Sequence, residues 1–213
     1  MRRRRKEAPG EALPEPLADQ AADPASDPAP DPGEPGPRDV AEVDLSDGGY
    51  ADLGSLLISP PEGMDLQLQV DEASGEVLAV LLANEEGAVE LRAFAAARNS
   101  DLWSDARREI AADAARRGGT ATEQEGPLGP ELAVMIPVTT PDGQSAVQPS
   151  RVLGHNGPRW FLRATVLGRP AVEPDSAGPW EDAIRAVVVR RGAQAMPPGE
   201  PLPLQLPPDA ERV

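Results

Sequence analysis

The chain has 213 residues, a net charge of −16 at pH 7, 3% aromatic residues, one histidine and no cysteine. The missing cysteines exclude disulfides and thiolate metal sites, and a lone histidine excludes most sites built on several imidazoles. The acidic charge argues against bulk binding to nucleic acid, because contacts to phosphates need clustered positive charge. The 39% hydrophobic content is enough for a folded core.

Residues 1–49 are predicted to form a disordered tail that begins basic and continues acidic and proline-rich. Arg2 to Lys6 are all basic, and an alternation of acidic residues, prolines and alanines follows. Prolines remove helical donors and the acids repel each other, so an extended chain is favoured. We expect no signal peptide and no transmembrane segment, because no apolar run is long enough. Whether the basic start contacts a membrane or nucleic acid stays open.

Residues 50–192 are predicted to form a single domain, which begins with a three-stranded antiparallel meander and a helix. Apolar and polar residues alternate from Leu66 to Val70, as in a half-buried strand. Two further apolar runs follow, each after a turn. The predicted strands cover residues 66–70, 77–82 and 89–96. Apolar residues at helical spacing then predict a helix over 102–117, capped by Ser100 or Asp101.

The second half of the domain repeats the order of strands followed by a helix. Predicted strands lie at residues 132–138, near 146–153 and at 160–166. Pro179 opens a second helix, and the three valines at 187–189 fit either its last turn or a short strand. The prediction is therefore an α+β fold with an antiparallel sheet, in a strands–helix–strands–helix order. We expect both helices to pack on one face of the sheet.

Residues 193–213 are predicted to be a proline-rich, extended tail. Six prolines between residues 197 and 208 favour polyproline geometry. Leu202, Leu204 and Leu206 alternate with other residues, an arrangement that would let this tail lie along the domain as an extended strap.

Several short stretches of the patterned segment carry a family resemblance. They are Asp52–Leu56, Val70–Glu72, Phe94–Arg98, Trp103, Gly118–Gly119, Glu131–Leu132, Pro141–Gly143, Arg159–Trp160, Leu162–Arg163 and Pro201–Leu204. Together they resemble the actinobacterial family of uncharacterised proteins defined by domain of unknown function 3710, over residues 43–207. The resemblance implies a cytosolic actinobacterial protein, and it brings no established activity or catalytic residue.

The candidate binding residues are Arg159, Phe161 and Arg163. They alternate with Trp160 and Leu162, so one face of a strand would present Arg-Phe-Arg while the other packs inward. Two guanidinium groups beside an aromatic ring could hold a phosphate, a carboxylate or a stacked base. The alternative is an ordinary solvated face whose arginines pair with nearby carboxylates.

No set of residues in the sequence converges on catalysis. His155 lies between Gly154 and Asn156, and we expect it to be exposed at the tip of a loop rather than to shuttle protons. EF-hand spacing, phosphate-binding glycine motifs and nucleophile elbows are missing, so we predict no catalytic residue, metal or cofactor. The resulting prediction is a non-enzymatic, cytoplasmic binding module with a protein partner. The alternative is a weak anion or nucleic-acid adaptor that uses the Arg-Phe-Arg face and the basic N-terminus.

Overall fold

Two β-sheets and two α-helices make up the fold in the computed structural model, which describes residues 36–206 except Asp47 and Asn99. The strands are β1 (Arg38–Asp39), β2 (Ala51–Asp52), β3 (Leu56–Ile58), β4 (Asp65–Val70), β5 (Val77–Ala83), β6 (Gly87–Ala95), β7 (Thr120–Gly126), β8 (Gly129–Thr139), β9 (Ser145–Asn156), β10 (Trp160–Gly168) and β11 (Val188–Val189). The helices are α1 (Leu102–Arg116) and α2 (Gly178–Arg185). The predicted α+β class is confirmed.

The larger sheet has seven antiparallel strands in the order β4-β5-β6-β10-β9-β8-β7. The predicted meander is confirmed as β4, β5 and β6, and β10 lies at the centre between β6 and β9. The sequence analysis missed β7, because five of its seven residues are exposed and no apolar alternation marks it. It lies at the edge of the sheet, where polar and charged residues are typical.

Hydrophobic cores lie on both faces of this sheet, because successive strand residues point to opposite sides. Trp160 and Leu162 of β10 face the main core, which also contains α2 and the smaller sheet. Phe161 faces a second core beneath α1. The prediction that both helices pack on one face is therefore wrong. An apolar stripe shows that a helix is buried on one side, but it carries no information on which face of the sheet receives it.

The smaller sheet has the order β1-β11-β3-β2, with β1 parallel to β11. It corrects the predicted boundary at residue 49, because Arg38–Asp39 form β1 and Val40–Glu42 a 3₁₀ turn. Asp39 is tied to the large sheet, since the Trp160 Nε1 group donates a 2.7 Å hydrogen bond to its Oδ2. Two-residue strands show no periodicity, so sequence patterns miss them. The rest of the predicted N-terminal tail, residues 1–35, lies outside the described residues.

Residues 199–205 form a strap that joins the two sheets. β5 pairs with β6 no further than Leu91, and the strap takes its place beyond that point. The Leu202 amide donates to the Ala93 carbonyl at 2.8 Å, and the Gln205 amide donates to the Leu53 carbonyl at 2.9 Å. Leu202 is only 4% exposed and belongs to the main core. The C-terminal segment therefore contributes to the core up to this point, while residues 207–213 lie outside the described part.

Replacing Leu202 with alanine should lower the free energy of unfolding by about 2–3 kcal/mol, the lower end of the range for a buried leucine. The loss would arise because a side chain of the main core is removed and leaves a cavity there. Urea unfolding followed by circular dichroism measures this difference. Leu206→Ala is the matched control, because Leu206 is exposed and its removal should change stability by less than about 0.5 kcal/mol. Equal effects of the two variants would contradict a structural role for the strap.

Candidate functional site

The three predicted binding residues do not share one exposed face. Arg159 precedes β10 in an exposed turn, whereas Phe161 is 4% exposed and lies inside the second core. The Phe161 ring stacks on Trp103 at 6.0 Å and on Phe94 at 5.9 Å between ring centroids. The expected exposed Arg-Phe-Arg face is therefore wrong, because α1 covers this part of the sheet. Arg163 remains partly accessible, with 27% of its side chain exposed.

Arg163 instead faces a second arginine, Arg92, directly opposite it on β6. Side chains at such positions have Cβ atoms roughly 4.5–5.5 Å apart. The Arg163 guanidinium lies 5.5 Å from the centroid of the Phe94 ring, and its Nη2 atom is 3.7 Å from Glu90 Oε1. Within the described part of the chain, the buried Nε atoms of both arginines have no hydrogen-bond partner. Two positive charges thus lie side by side, and each guanidinium has an Nε donor that is not used by the described residues.

The surroundings of Arg163 disfavour its positive charge. Burial, followed by the neighbouring charge of Arg92, lowers the pKa of Arg163, and Glu90 opposes this only in part. The guanidinium stays protonated at physiological pH, because arginine does not lose its proton in proteins. A bound anion would relieve the electrostatic cost that the two arginines impose on each other.

A cleft of about 170 Å³ lies beside Arg163, between α1 and strands β8 to β10. We call it the α1 cleft. Its apolar residues are Ile110, Ala114, Val134, Ile136 and Val152, and its polar residues are Asp113, Arg117, Ser150, Arg163 and Thr165. It therefore combines an apolar interior with hydroxyl, guanidinium and carboxylate groups.

The α1 cleft exists because Trp103 fixes α1 on the sheet. The Trp103 Nε1 group donates a 2.8 Å hydrogen bond to the Pro130 carbonyl, while its backbone amide donates to Asn156 Oδ1 at 3.2 Å. Gly154 makes room for the ring, since a Cβ atom there would lie 2.3 Å from Trp103. Asp101 caps the helix by accepting a hydrogen bond from the Ser104 amide at 3.1 Å. Although burial acts to raise the pKa of Asp101, hydrogen bonds from Ser104 and Asn156 lower it overall.

Residues 36–213 match the model of a family described as a protein of unknown function, DUF3710. The chain belongs to this family. The predicted membership is thus confirmed, and the match covers the whole described part, including Arg92, Arg163 and the α1 cleft. A search of curated proteins finds no match to the chain. Among the residues that the structure describes, no helix is long and apolar enough to cross a membrane.

His155 of the DUF3710 protein lies in β9 rather than at the tip of a loop. The strand continues to Asn156, so the predicted loop position of His155 is wrong. The His155 ring is half-buried and lies 5.8 Å from the Trp160 ring, with Gly36 packed against it. Gly154 allows the close approach of Trp103 described above and does not form a turn.

A buried ion triad of Glu131, Arg151 and Glu181 is a second charged cluster, and the sequence analysis missed it. Arg151 binds Glu131 through two hydrogen bonds of 2.9 and 2.8 Å and binds Glu181 at 2.9 Å. Glu131 is 1% exposed, and the Gln124 side chain donates to it at 2.6 Å. Burial acts to lower the pKa of Arg151, but the hydrogen bonds to both carboxylates raise it overall. The available signal was a charged residue just before one predicted strand, Glu131, and another inside the next strand, Arg151.

The triad links α2 to β8 and β9, since Glu181 lies on the helix and its partners lie on the strands. Its charged groups are bonded to one another, which leaves the α1 cleft as the better candidate for ligand binding. A wider groove of about 660 Å³ contains Asp65, Glu85 and Glu86 at the opposite edge of the sheet. Among the residues that the structure describes, no group of three or more carboxylate and histidine side chains is arranged to hold a metal ion.

Proposed function

We propose that this DUF3710 protein is a non-enzymatic binding module of the cytoplasm, and that Arg92 and Arg163 hold an anionic group of its ligand. The observation that carries the proposal is their direct opposition on β6 and β10, with buried Nε atoms that have no partner in the described residues. A carboxylate or phosphate placed between two guanidinium groups accepts charge-assisted hydrogen bonds from both. Such an anion would satisfy these donors and remove the repulsion between the arginines.

The local charge supports this proposal against the acidic background of the chain. Glu90 approaches Arg163 at 3.7 Å, which is longer than a charge-assisted hydrogen bond. At the other end of the α1 cleft, Asp113 lies 3.8 Å from Arg117, which lines the same cleft. Positive charge is therefore in local excess at this site, although the whole chain carries −16.

The lining of the α1 cleft favours binding over catalysis. Asp113 is its carboxylate within the described residues, and the described lining holds no second carboxylate or histidine to complete an acid–base pair. Base stacking also lacks support, because Phe161 is covered by Trp103 and Phe94. A protein partner for the tails stays a prediction, and it concerns residues outside the described part.

Removing both arginine charges should strongly weaken anion binding. Titration with sodium acetate or inorganic phosphate should shift the Nε–H resonances of Arg92 and Arg163 in NMR spectra of the intact protein. In the Arg92→Gln/Arg163→Gln variant, the affinity should fall at least about tenfold, because charge-assisted hydrogen bonds are lost. Binding should also weaken as the salt concentration rises.

Arg116→Gln is the matched control, since Arg116 lies on the exposed side of α1 with 69% of its side chain accessible. Its removal should leave the affinity within about twofold, as expected for an exposed charge. Failure of both anions to bind would contradict the proposal, and so would equal affinity in the wild-type protein and the double variant.

A further inference from the structure

The α1 cleft has apolar space that an anion alone would not occupy. Its volume is about 170 Å³, and Ile110, Val134 and Val152 are among the apolar side chains that line it. A benzene molecule is known to fit in an apolar cavity of about 150 Å³. The cleft beside Arg163, with half of its lining residues apolar, therefore has room for one six-membered ring.

We infer that the ligand is a small carboxylic acid whose body is a single ring or a branched alkyl group of similar size. The inference rests on the proposed function and names the ligand class for the same site. The ring lies beneath α1 and the carboxylate lies at Arg163, which both lines the cleft and faces Arg92. Ser150 supplies a hydroxyl group at the same cleft for the polar end of the ligand.

The charges around the site favour a single negative charge over a phosphate dianion. Arg92, Arg163 and Glu90 together carry one positive charge, which a carboxylate neutralises and a phosphate dianion would exceed. A carboxylate is also planar, so it matches the fork of a guanidinium group through two parallel hydrogen bonds. Stacking on Phe94 holds the Arg163 guanidinium in place before a ligand arrives, which reduces the ordering cost of binding.

Sodium benzoate, acetate and benzamide test the inference directly in calorimetric titrations of the intact protein. Benzoate should bind about 10- to 100-fold more tightly than acetate, because a phenyl group leaves water. Benzamide has nearly the same shape without the charge, and it should bind at least about tenfold more weakly than benzoate.

Two variants separate the ring from the charge. Thr165→Phe should weaken benzoate binding at least about tenfold and leave acetate binding unchanged, because the introduced ring fills the apolar space. Arg163→Gln should weaken the binding of both anions, whereas Arg116→Gln should leave the binding of both unchanged. Thermal unfolding of each variant verifies that the fold is intact before affinities are compared.

The outcomes distinguish this inference from the proposed function. If acetate and benzoate bind with equal affinity, or if Thr165→Phe leaves benzoate binding unchanged, the inference is wrong and the anion site stands. If neither anion binds, or if benzamide binds as well as benzoate, the proposed function is wrong as well.

Discussion

Replacing Arg151 with methionine is expected to lower the free energy of unfolding by about 3–5 kcal/mol, because a buried carboxylate would lose its cation. Glu131 is 1% exposed and receives two of the hydrogen bonds of Arg151. The variant would leave Glu131 with Gln124 as its remaining side-chain donor among the described residues. Equilibrium unfolding in urea at neutral pH, followed by tryptophan fluorescence, measures the difference.

Arg108→Met is the matched control, because Arg108 pairs with Asp105 on the exposed side of α1 and 72% of its side chain is accessible. A surface pair of this kind contributes about 0–1 kcal/mol. The triple variant Glu131→Leu/Arg151→Met/Glu181→Leu should lose less stability than Arg151→Met alone, since no buried charge is left unpaired. A loss below about 1 kcal/mol for Arg151→Met would contradict the buried character of the triad.

Replacing Trp103 with alanine is expected to lower the free energy of unfolding by about 3–5 kcal/mol, the range for truncating a buried aromatic side chain to alanine. Trp103 fills the space above Gly154 and stacks on Phe161, so its removal leaves a void between α1 and β9. The Pro130 carbonyl would also lose its indole donor. Urea unfolding followed by circular dichroism measures this loss.

Trp103→Phe is the matched control, because it keeps an aromatic ring on Phe161 and removes the Nε1 donor. The free energy of unfolding should fall by about 1 kcal/mol because the hydrogen bond is lost, and by a smaller amount because the smaller ring packs less well. In the alanine variant, benzoate binding should fall as well, since α1 forms one wall of the α1 cleft. If the two variants lose equal stability, the ring is not the anchor of α1.

The local elements were the most predictable part of the fold. Alternation indicated β4, and two apolar runs after turns indicated β5 and β6, so the meander was predicted. The helix predicted over residues 102–117 is confirmed as Leu102–Arg116. Periodicity works here because each element has one buried and one exposed side. It fails for β7, which is polar at a sheet edge, and for β1, which is two residues long.

The candidate site was predictable only in part. Arg163 was selected for its place in an alternating strand, and it does line the α1 cleft. Its partner Arg92 lies on β6, and sequence spacing cannot show that β6 and β10 are neighbours. Phe161 was expected to be exposed, because a single strand does not reveal that a helix covers its outer face. The signal for the triad was present in Glu131 and Arg151, but their pairing depends on the register of β8 and β9.

The sequence by itself determined the composition, the family and the spacing of apolar residues within each helix or strand. It excluded disulfides because cysteine is missing, and it placed the first helix because apolar residues recur every three to four positions. Only the tertiary structure decided which residues meet across strands and which face of the sheet each helix covers. Both are set by long-range pairing and by the space that Gly154 leaves for Trp103. Arg92 and Arg163 are neighbours for this reason, because the pairing of β6 with β10 places them opposite each other.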